Sequence, residues 1–562
     1  MREVSLMYRI SYHLPVILTL LLPVFQAHAS QPLLHQQARQ KALEQQLTPL
    51  SPSVRLPSSS GKGYPSGFPV ESPCFVIHRV QLTGAEALPH WLPLSALTRR
   101  AEGQCLGSGG VSLLVRQLQD RIASHGWVTT RVMVPAQDLK RGVLYLQIVP
   151  GRVGQVRLAS GSSRYVRLWS AMPAHHGDLF DLRAIEQGME NLQRPPTVQA
   201  QVQVVPGAHP GESDIVITRH QSRFWRAGLS VDDAGQKETG RYEGTATLWL
   251  DNPLALSDTF FLSGTHDLGF AGHKNSQSVS GYYALPVGYW LWSLNASESD
   301  YTQTVAGFDI DTRYRGRQKN LDMQLSRVLF RNGTLKDTLS YDVLARDSRQ
   351  YINDVETDVE RTQTSGWRLG FTHRHYIGDA TLDAGVSYQR GTRWFGAQPV
   401  PGEEYGDATG LSKILTWNAD LNVPFSVGRQ SFRFDTQYLR QTSTTPLISL
   451  DQFSVGNRWT VRGFDGERTL TADNGWYTRN ELAWQTPLPQ QELYLGVDYG
   501  AVSGHGAEWL PGRHLAGSVL GLRGGLGRAG LSYDLFAGCP LSKPAGFRTS
   551  PVTTGFQVSW QY

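Results

Sequence analysis

A short run in the last third of the chain reads Val461-Arg462-Gly463-Phe464-Asp465-Gly466. A glycine beside an arginine lets the backbone turn tightly while the planar guanidinium reaches toward a carboxylate. The run alone is also compatible with an ordinary turn. Its interpretation therefore depends on the segments around it.

From residue 221 to Tyr562 the sequence alternates apolar and polar residues in short segments separated by Gly, Asn, Asp and Pro. One segment carries its apolar residues at every second position: Ala380, Leu382, Ala384, Val386 and Tyr388. Such alternation predicts β-strands, either in a soluble sandwich or in a membrane barrel. Aromatic residues at strand ends, among them Trp290, Trp484 and Tyr494, favour a barrel because aromatic girdles mark membrane interfaces.

The length of this region predicts a barrel of about 16 antiparallel strands, since each strand with its connection takes about 20 residues. The last strand places four side chains on one face: Phe556, Val558, Trp560 and Tyr562. A terminal aromatic on such a strand is the outer-membrane assembly signal of bacterial barrels. No run of about 18 apolar residues follows residue 30, so any membrane span has to be a closed barrel.

The N-terminal part divides into three predicted segments. Residues 1–29 indicate a secretory signal peptide, with a basic start, a short apolar stretch and small residues before Ser30. Residues 30–48 predict a short amphipathic helix, because helix formers predominate and the leucines and alanines share one stripe. Residues 49–72 are rich in Pro, Ser and Gly, which is typical of a flexible linker.

Two small α/β domains are predicted next, at residues 73–152 and 153–220, each from strands and helices in mixed order. Cys74 and Cys105 lie in the first domain and are candidates for a disulfide, since an exported chain meets an oxidising periplasm. The alternative is that both thiols are free and buried. Cys539, the third cysteine, has no assigned role.

Several functional classes lack support in the sequence. The net charge of +5, from 53 basic and 48 acidic residues, is mild, and no basic run suggests nucleic acid. We find neither a Walker motif nor a G-x-S-x-G run. His373 and His375 share a strand face, but no third metal ligand is evident. We therefore expect no catalytic residues, no metal and no cofactor.

Further motifs resemble those of the two-partner secretion transporter family (TpsB), which includes haemolysin activators and the transporters of filamentous haemagglutinin and contact-dependent inhibition toxins. The resemblance covers nearly the whole chain after residue 30. The motifs that carry it are Gly126-Trp127-Val128-Thr129-Thr130-Arg131-Val132, Asn191-Leu192-Gln193-Arg194, Asp251-Asn252-Pro253, Val461 to Phe464, and Gly538-Cys539-Pro540-Leu541-Ser542-Lys543-Pro544.

This resemblance implies a plug helix, a linker, two POTRA domains and a 16-stranded barrel at residues 221–562. It places Val461, Arg462, Gly463 and Phe464 on a loop near residues 452–476 that folds into the lumen, where the arginine meets an acidic residue of the wall. Leu495 and Val497 belong to an outward face, so Asp498 points inward and is the predicted partner. Arg479 and Glu481 are further lumen candidates.

The implied function is secretion of a large unfolded exoprotein (TpsA type) through the pore of a Gram-negative outer membrane, without nucleotide hydrolysis. The POTRA domains would bind the exoprotein in the periplasm. The lipid bilayer and the barrel-assembly machinery are the other expected partners. The sequence leaves the cargo open between haemolysin, adhesin and growth-inhibition toxin, and it leaves the oligomeric state open as well.

Three alternatives were weighed. A barrel-assembly insertase of the same superfamily also carries such a loop, but insertases tend to have more POTRA domains and lack a plug helix. A barrel lipase or protease would need a catalytic motif. A passive porin does not explain two tandem periplasmic domains.

Overall fold

The computed structural model describes residues 14–49, 52–56, 64, 67–269, 274–305 and 311–562, with the backbone alone for residues 14–30 and Arg528. Part of the predicted signal peptide, residues 1–13, therefore lies outside the described residues. So do residues 50, 51, 57–63, 65 and 66 of the predicted linker. Among the described residues, no helix is long and apolar enough to cross a membrane.

Helix α1 spans Leu14–Leu47 and so begins well before residue 30, where the amphipathic helix was predicted to start. The stretch before residue 30 is rich in leucine, a good helix former, although it also contains Pro15 and Pro23. The side chains of this helix from residue 31 to residue 47 lie inside the barrel. We keep the name plug helix for residues 31–47.

The first α/β domain contains a three-stranded sheet in the order β2-β5-β4, with β2 parallel to β5 and β4 antiparallel to it. Two helices cover one face of this sheet and bury leucines such as Leu114 and Leu118. The elements are β1 (Phe75–Val76), β2 (Arg79–Thr83), α2 (Ser95–Ala101), β3 (Cys105–Leu106), α3 (Ser108–Ser124), β4 (Arg131–Met133) and β5 (Val143–Val149).

The second α/β domain repeats this arrangement with a sheet in the order β6-β8-β7. Its elements are β6 (Arg152–Leu158), α4 (Leu168–Ala171), α5 (Leu182–Leu192), β7 (Val198–Pro206) and β8 (Glu212–Gln221). Every residue of α5 is buried. An amphipathic helix on a sheet leaves one face exposed, so complete burial means that α5 is covered on both sides.

The barrel covers the second side of α5, and Arg331 makes several of these contacts. Arg331, at the end of a barrel strand, donates to Gln187 (2.8 Å), to Glu190 (3.1 Å) and to Glu186 (3.3 Å). Burial disfavours the charged form of Glu190, yet Lys336 and Arg331 together hold the pKa of this carboxyl below its ordinary value. The second domain is thus fixed to the periplasmic end of the barrel.

Among the described residues, sixteen antiparallel strands close into a barrel, and the last strand pairs with the first between Gln557–Asp232 and Gln561–Gly228. The strands are β9 (Trp225–Asp232), β10 (Glu243–Asp251), β11 (Thr259–Asp267), β12 (Lys274–Val287), β13 (Trp290–Val305), β14 (Thr312–Arg331), β15 (Leu335–Ile352), β17 (Thr362–Ile377), β18 (Ala380–Thr392), β19 (Lys413–Val427), β20 (Gln430–Ser443), β23 (Asn474–Gln485), β24 (Gln491–Ser503), β25 (His514–Leu526), β26 (Leu531–Ser542) and β27 (Thr553–Gln561). The two-residue β16 (Val355–Glu356) extends the hairpin end of β15.

The outer face of the barrel is apolar and exposed, as on β24, where Leu495 is 52% and Val497 is 48% exposed. A closed sheet with such a face is stable in lipid, because closure pairs all backbone polar groups. Tyr494 departs from the prediction of an interface residue. It lies on the inward face, is 4% exposed and donates to Asp534 at 2.8 Å.

The predicted lumen loop, near residues 452–476, lies in the connection between β20 and β23, which is residues 444–473; residues 474–476 belong to β23. A short antiparallel hairpin of β21 (Phe453–Val455) and β22 (Leu470–Ala472) forms its base. The residues between these two strands reach the inner face of the wall. Their contacts define the site described below.

The linker contacts both α/β domains. The backbone amides of Val54 and Leu56 donate to Glu190 (3.2 Å) and Glu186 (2.8 Å) on the second domain. On the first domain, the Glu71 carboxylate accepts from three backbone amides at the start of α3, those of Gly107, Gly109 and Gly110 (2.7–2.8 Å).

These amide donors hold the pKa of Glu71 below its ordinary value, with Gly110 and Gly109 contributing most. Because the folded pKa is depressed, the contact is fully present above the pKa of an unfolded glutamate, about 4.3, and is lost as the pH falls through the lower folded value.

We predict that Glu71→Gln raises the hydrogen-exchange rates of the Gly109 and Gly110 amides at neutral pH. Glu86→Gln, which alters an exposed carboxylate of the same domain, is the control. Equal rates in both variants would contradict the contact.

Candidate functional site in the barrel lumen

Arg462 at the tip of the lumen loop is held by Asp498 of β24. Its Nε donates to Asp498 Oδ2 at 2.7 Å, its Nη2 to Oδ1 at 2.9 Å, and its backbone amide to Oδ2 at 3.0 Å. This is a bidentate guanidinium–carboxylate pair with an added backbone bond. The structure thus joins the two residues that the sequence analysis paired.

Burial decides how much this pair contributes. The side chains of Arg462 and Asp498 are 8% and 0% exposed. An exposed pair in pore water would contribute about 0–1 kcal/mol. Removing one partner of a buried pair costs about 3–5 kcal/mol, because the other charge is left without a partner. The pair is buried, so its contribution is large enough to anchor the loop.

A chain of alternating charges extends from Arg462 along the wall. Glu481 of β23 accepts from Arg462 Nη1 at 2.6 Å and forms an ion pair with Arg523 of β25 at 2.6 Å. Arg523 in turn donates to Glu492 at 2.9 Å, and Glu492 also binds Arg433 of β20 at 3.1 Å. Four neighbouring wall strands are thereby connected to the loop tip.

The backbone of the loop tip packs on three glycines of the wall, which we call the glycine surface: Gly496, Gly517 and Gly538. A Cβ on Gly496 would lie 2.5 Å from Arg462 Nη2, and one on Gly538 would lie 2.9 Å from the Cα of Gly463. A Cβ on Gly517 would overlap the carbonyl of Arg462. Side chains at these positions would keep Arg462 from reaching Asp498.

Gly463 is the residue on the loop side of this contact, and its backbone lies directly against the wall. Its φ is 94°, and a Cβ on it would lie 2.5 Å from the carbonyl oxygen of Cys539. Glycine is required on both grounds, since other residues rarely adopt this φ and cannot fit this space.

Apolar and polar contacts flank the arginine. Val461 is fully buried, and Phe464 packs edge-on against Phe547 with ring centroids 5.9 Å apart. The Asp465 carboxylate accepts from the backbone amide (2.8 Å) and hydroxyl (2.9 Å) of Ser550. The loop tip is thus also tied to the connection between β26 and β27.

Arg479 lies in the lumen but does not bind the same carboxylate as Arg462. It donates to the backbone carbonyl of Trp459 in the lumen loop at 3.1 Å. The Trp459 ring also contacts His35 of the plug helix in a tilted arrangement, with ring centroids 5.2 Å apart. Of the two further lumen candidates, Glu481 joins the charged cluster, and Arg479 supports the loop beside the helix.

The plug helix occupies the lumen. Arg39 forms ion pairs with Asp232 of β9, at 2.9 Å, and with Glu243 of β10. Leu33, near one end, is buried among residues that include Tyr301 and Val400, whereas the carbonyl of Leu47 accepts from Trp249 at 3.3 Å near the periplasmic turns. The fifteen residues from Leu33 to Leu47 span about 21 Å of lumen, at about 1.5 Å for each step along the helix.

The sequence analysis missed the glycine surface and the outer members of the charged chain. One signal was available on β24, where Gly496 and Gly500 flank Asp498 at spacing two and therefore share its inward face. No comparable signal marks Glu492 or Arg523, because their pairing depends on which strands become neighbours.

The remaining predicted residues lie elsewhere. Cys74 and Cys105 form a disulfide, and Cys539 is a free cysteine on β26. Val558, Trp560 and Tyr562 lie on the closing strand or just after it, and Trp560 is 40% exposed.

The two histidines considered for metal binding share the face of the exposed Leu369 and Phe371. His373 contacts Asp337 at 2.6 Å. They therefore lie on the outer face of the barrel and do not line the lumen. Within the described ranges, no group of three or more His, Cys, Asp or Glu side chains is placed to hold a metal ion.

The contact at Gly463 gives a matched test. We predict that Gly463→Ala releases the loop tip and raises hydrogen exchange across residues 456–469, because both strain and overlap arise. Gly466→Ala is the control: its φ of 76° carries a similar strain of about 1–3 kcal/mol, but its Cβ would meet nothing closer than 3.7 Å. If the loop amides exchange equally fast in both variants, backbone strain alone explains the effect, and the close approach of Gly463 to the Cys539 carbonyl does not contribute.

A closed barrel with an apolar outer face, two α/β domains at one end and a lumen filled by a helix and an anchored loop define an outer-membrane protein transporter. Comparison with known proteins agrees with this class. The model of the family described as haemolysin secretion/activation protein ShlB/FhaC/HecB matches residues 211–524. POTRA-domain models, the first of them ShlB-type, match residues 75–151 and 152–206.

Similar proteins include the outer membrane transporter CdiB-2 of Burkholderia pseudomallei, 35% identical over 94% of this chain and 93% of the relative. The hemolysin transporter ShlB of Serratia marcescens is 26% identical over 77% of each chain. The solved structure of CdiB from Escherichia coli has a TM-score of 0.86 at 26% identity, covering 95% of this chain and 98% of that one.

The chain belongs to the haemolysin secretion/activation protein family of two-partner secretion transporters. It is an outer-membrane transporter that secretes an exoprotein, and its two POTRA domains lie in the periplasm.

Proposed function

We propose that the chain captures an unfolded exoprotein with its POTRA domains and passes it through the barrel after the plug helix and the lumen loop have moved. The observation that carries this mechanism is the buried cluster of Arg462, Asp498 and Glu481, which fixes the loop inside the lumen. A cluster that costs several kcal/mol to separate is suited to keep the pore closed until cargo arrives.

Cargo capture would use the exposed edges of the two small sheets. Strands β4 and β7 are edge strands of their sheets, so each has unpaired backbone groups to which an extended segment could add. Addition of a strand needs no fixed cargo sequence, which suits an unfolded polypeptide. The barrel-assembly machinery is expected to insert the barrel, with the outward residues of β27 as the signal.

Transport in this scheme needs no enzyme activity and no cofactor. The outer membrane has no nucleotide supply, so the driving force would come from binding in the periplasm and from folding of the cargo outside. The similarity to CdiB transporters over nearly the whole chain favours an exoprotein of the type that those transporters carry. The insertase alternative is less favoured, because the relatives named above are transporters.

The first experiment removes the anchor of the loop. We predict that Arg462→Ala inserts and folds normally but lowers secretion of the exoprotein at least tenfold, because Asp498 loses its buried partner. Secretion is measured as exoprotein in the culture medium relative to cells.

Arg374→Ala is the matched control for this experiment. It also removes an inward arginine with a bidentate partner, Asp383 at 2.6 and 2.9 Å, but this pair connects two wall strands. Normal secretion by Arg462→Ala, or an equal loss in Arg374→Ala, would argue against a role for the loop anchor.

A second experiment addresses the plug helix. Asp232→Asn combined with Glu243→Gln leaves Arg39 buried without a carboxylate, so we predict that the helix leaves the lumen more often. Planar-bilayer recordings of the purified protein should then show several-fold more open-channel current. Gln46→Ala, which removes only an exposed amide contact to Gln557 (3.2 Å), is the control and should leave the current unchanged. An unchanged current in the double variant would mean that this ion pair does not retain the helix.

A further inference from the structure

The second α/β domain exposes large aromatic side chains close to the barrel. Trp169 of α4 is 66% exposed and Tyr165, just before α4, is 48% exposed. Tryptophan is seldom left in water to this extent, because its ring carries a large apolar area. Neither residue belongs to the lumen site or to an edge strand of a sheet.

Backbone contacts hold this segment against the periplasmic turns of the barrel. The amide of Arg167 donates to the carbonyl of Ala255 (2.8 Å), in the turn between β10 and β11. The carbonyl of Ser170 accepts from Gly288 (2.7 Å), in the turn between β12 and β13. Trp169 lies between these two anchor points and is thus fixed at the rim of the barrel.

The exposed aromatics continue the aromatic girdle of the barrel. Tyr165 donates to the carbonyl of Pro253 (2.8 Å), and its ring meets that of Phe224 edge-on at 5.4 Å. Phe224 precedes Trp225, an exposed residue of β9 whose ring contacts that of the terminal Tyr562 with centroids 5.6 Å apart. Aromatic residues at this height of a barrel lie at the level of the lipid headgroups.

The charge of the segment fits the same surface. Residues 163–171 contain two arginines, Arg164 and Arg167, and no acidic residue, and both arginines are exposed. Arginine guanidinium groups pair with phosphate oxygens in a bidentate manner. A surface that combines exposed aromatic rings with arginines is suited to the headgroup region of an anionic leaflet.

We propose that the second α/β domain docks on the periplasmic leaflet of the outer membrane through an interfacial patch formed by Arg164, Tyr165, Arg167, Trp169, Phe224 and Leu254. The rings and Leu254, which is 60% exposed, enter the headgroup region, and the two arginines bind phospholipid phosphates. The partner is thus a lipid surface rather than the exoprotein. The leaflet fixes the height of the cargo-binding domain below the pore.

The test measures immersion of the patch directly. A nitroxide is attached through Trp169→Cys or Leu254→Cys in a Cys539→Ser background, where the remaining two cysteines are in the disulfide. The full-length protein is reconstituted in vesicles of phosphatidylethanolamine and phosphatidylglycerol. Collision rates with oxygen and with a water-soluble nickel chelate then report whether each label is in lipid or in water.

Trp91→Cys provides the matched control, since Trp91 is a tryptophan of the first domain with a similar exposure of 59%. We expect labels at positions 169 and 254 to collide with the nickel chelate several-fold less often than the label at position 91. A label at position 169 as accessible to nickel as that at position 91 would overturn the proposal.

The contribution of the arginines is tested separately. The double substitution Arg164→Gln and Arg167→Gln should raise the accessibility of the label at position 169 to the nickel chelate. Reconstitution of the unsubstituted arginines in vesicles of phosphatidylcholine alone should raise this accessibility as well. If neither change has an effect, binding of anionic headgroups is refuted. These measurements need no exoprotein, so their outcome is independent of the secretion experiments.

Discussion

Arg462 carries its charge into a buried part of the barrel, where a charged group requires carboxylate partners. Asp498 and Glu481 supply them, but only because the glycine surface lets the loop backbone approach the wall. The ion pair and the close packing therefore depend on each other. The position of the lumen loop follows from this requirement.

The loop and the plug helix are in direct contact, so the two obstructions of the lumen are physically coupled. The ring of His35 contacts that of Trp459, and Gln31 accepts from Thr469 at 3.2 Å. Arg458 of the loop binds Asp233 at 2.8 Å, next to the Asp232 that holds Arg39. A displacement of either element removes contacts of the other, which gives a reason for both to leave the lumen together.

Local sequence predicted the parts of this site that follow from periodicity. The strict alternation around Asp498 indicated its inward direction, and the glycine in the Arg462 motif indicated a tight turn. Glu492 and Arg523 were not predicted, because their contacts depend on strand neighbours far apart in sequence. Tyr494 was assigned to the membrane interface from its residue type, although its position two residues from Glu492 and four from Asp498 places it on the inward face. The start of α1 at Leu14 was not predicted, because helix propensity does not separate the predicted signal peptide from the plug helix.

The burial of α5 and the closure of the barrel together limit how the shape of the pore can change. Since this helix packs on its own sheet on one side and meets Arg331 of the barrel on the other, the second domain is part of the rim. A hydrogen-bonded ring of sixteen strands cannot widen without losing ladder pairs. The bore therefore has a constant circumference once it is cleared, and a travelling polypeptide has to adapt its own cross-section to it. Tertiary structure in the passenger has to wait until it reaches the cell surface.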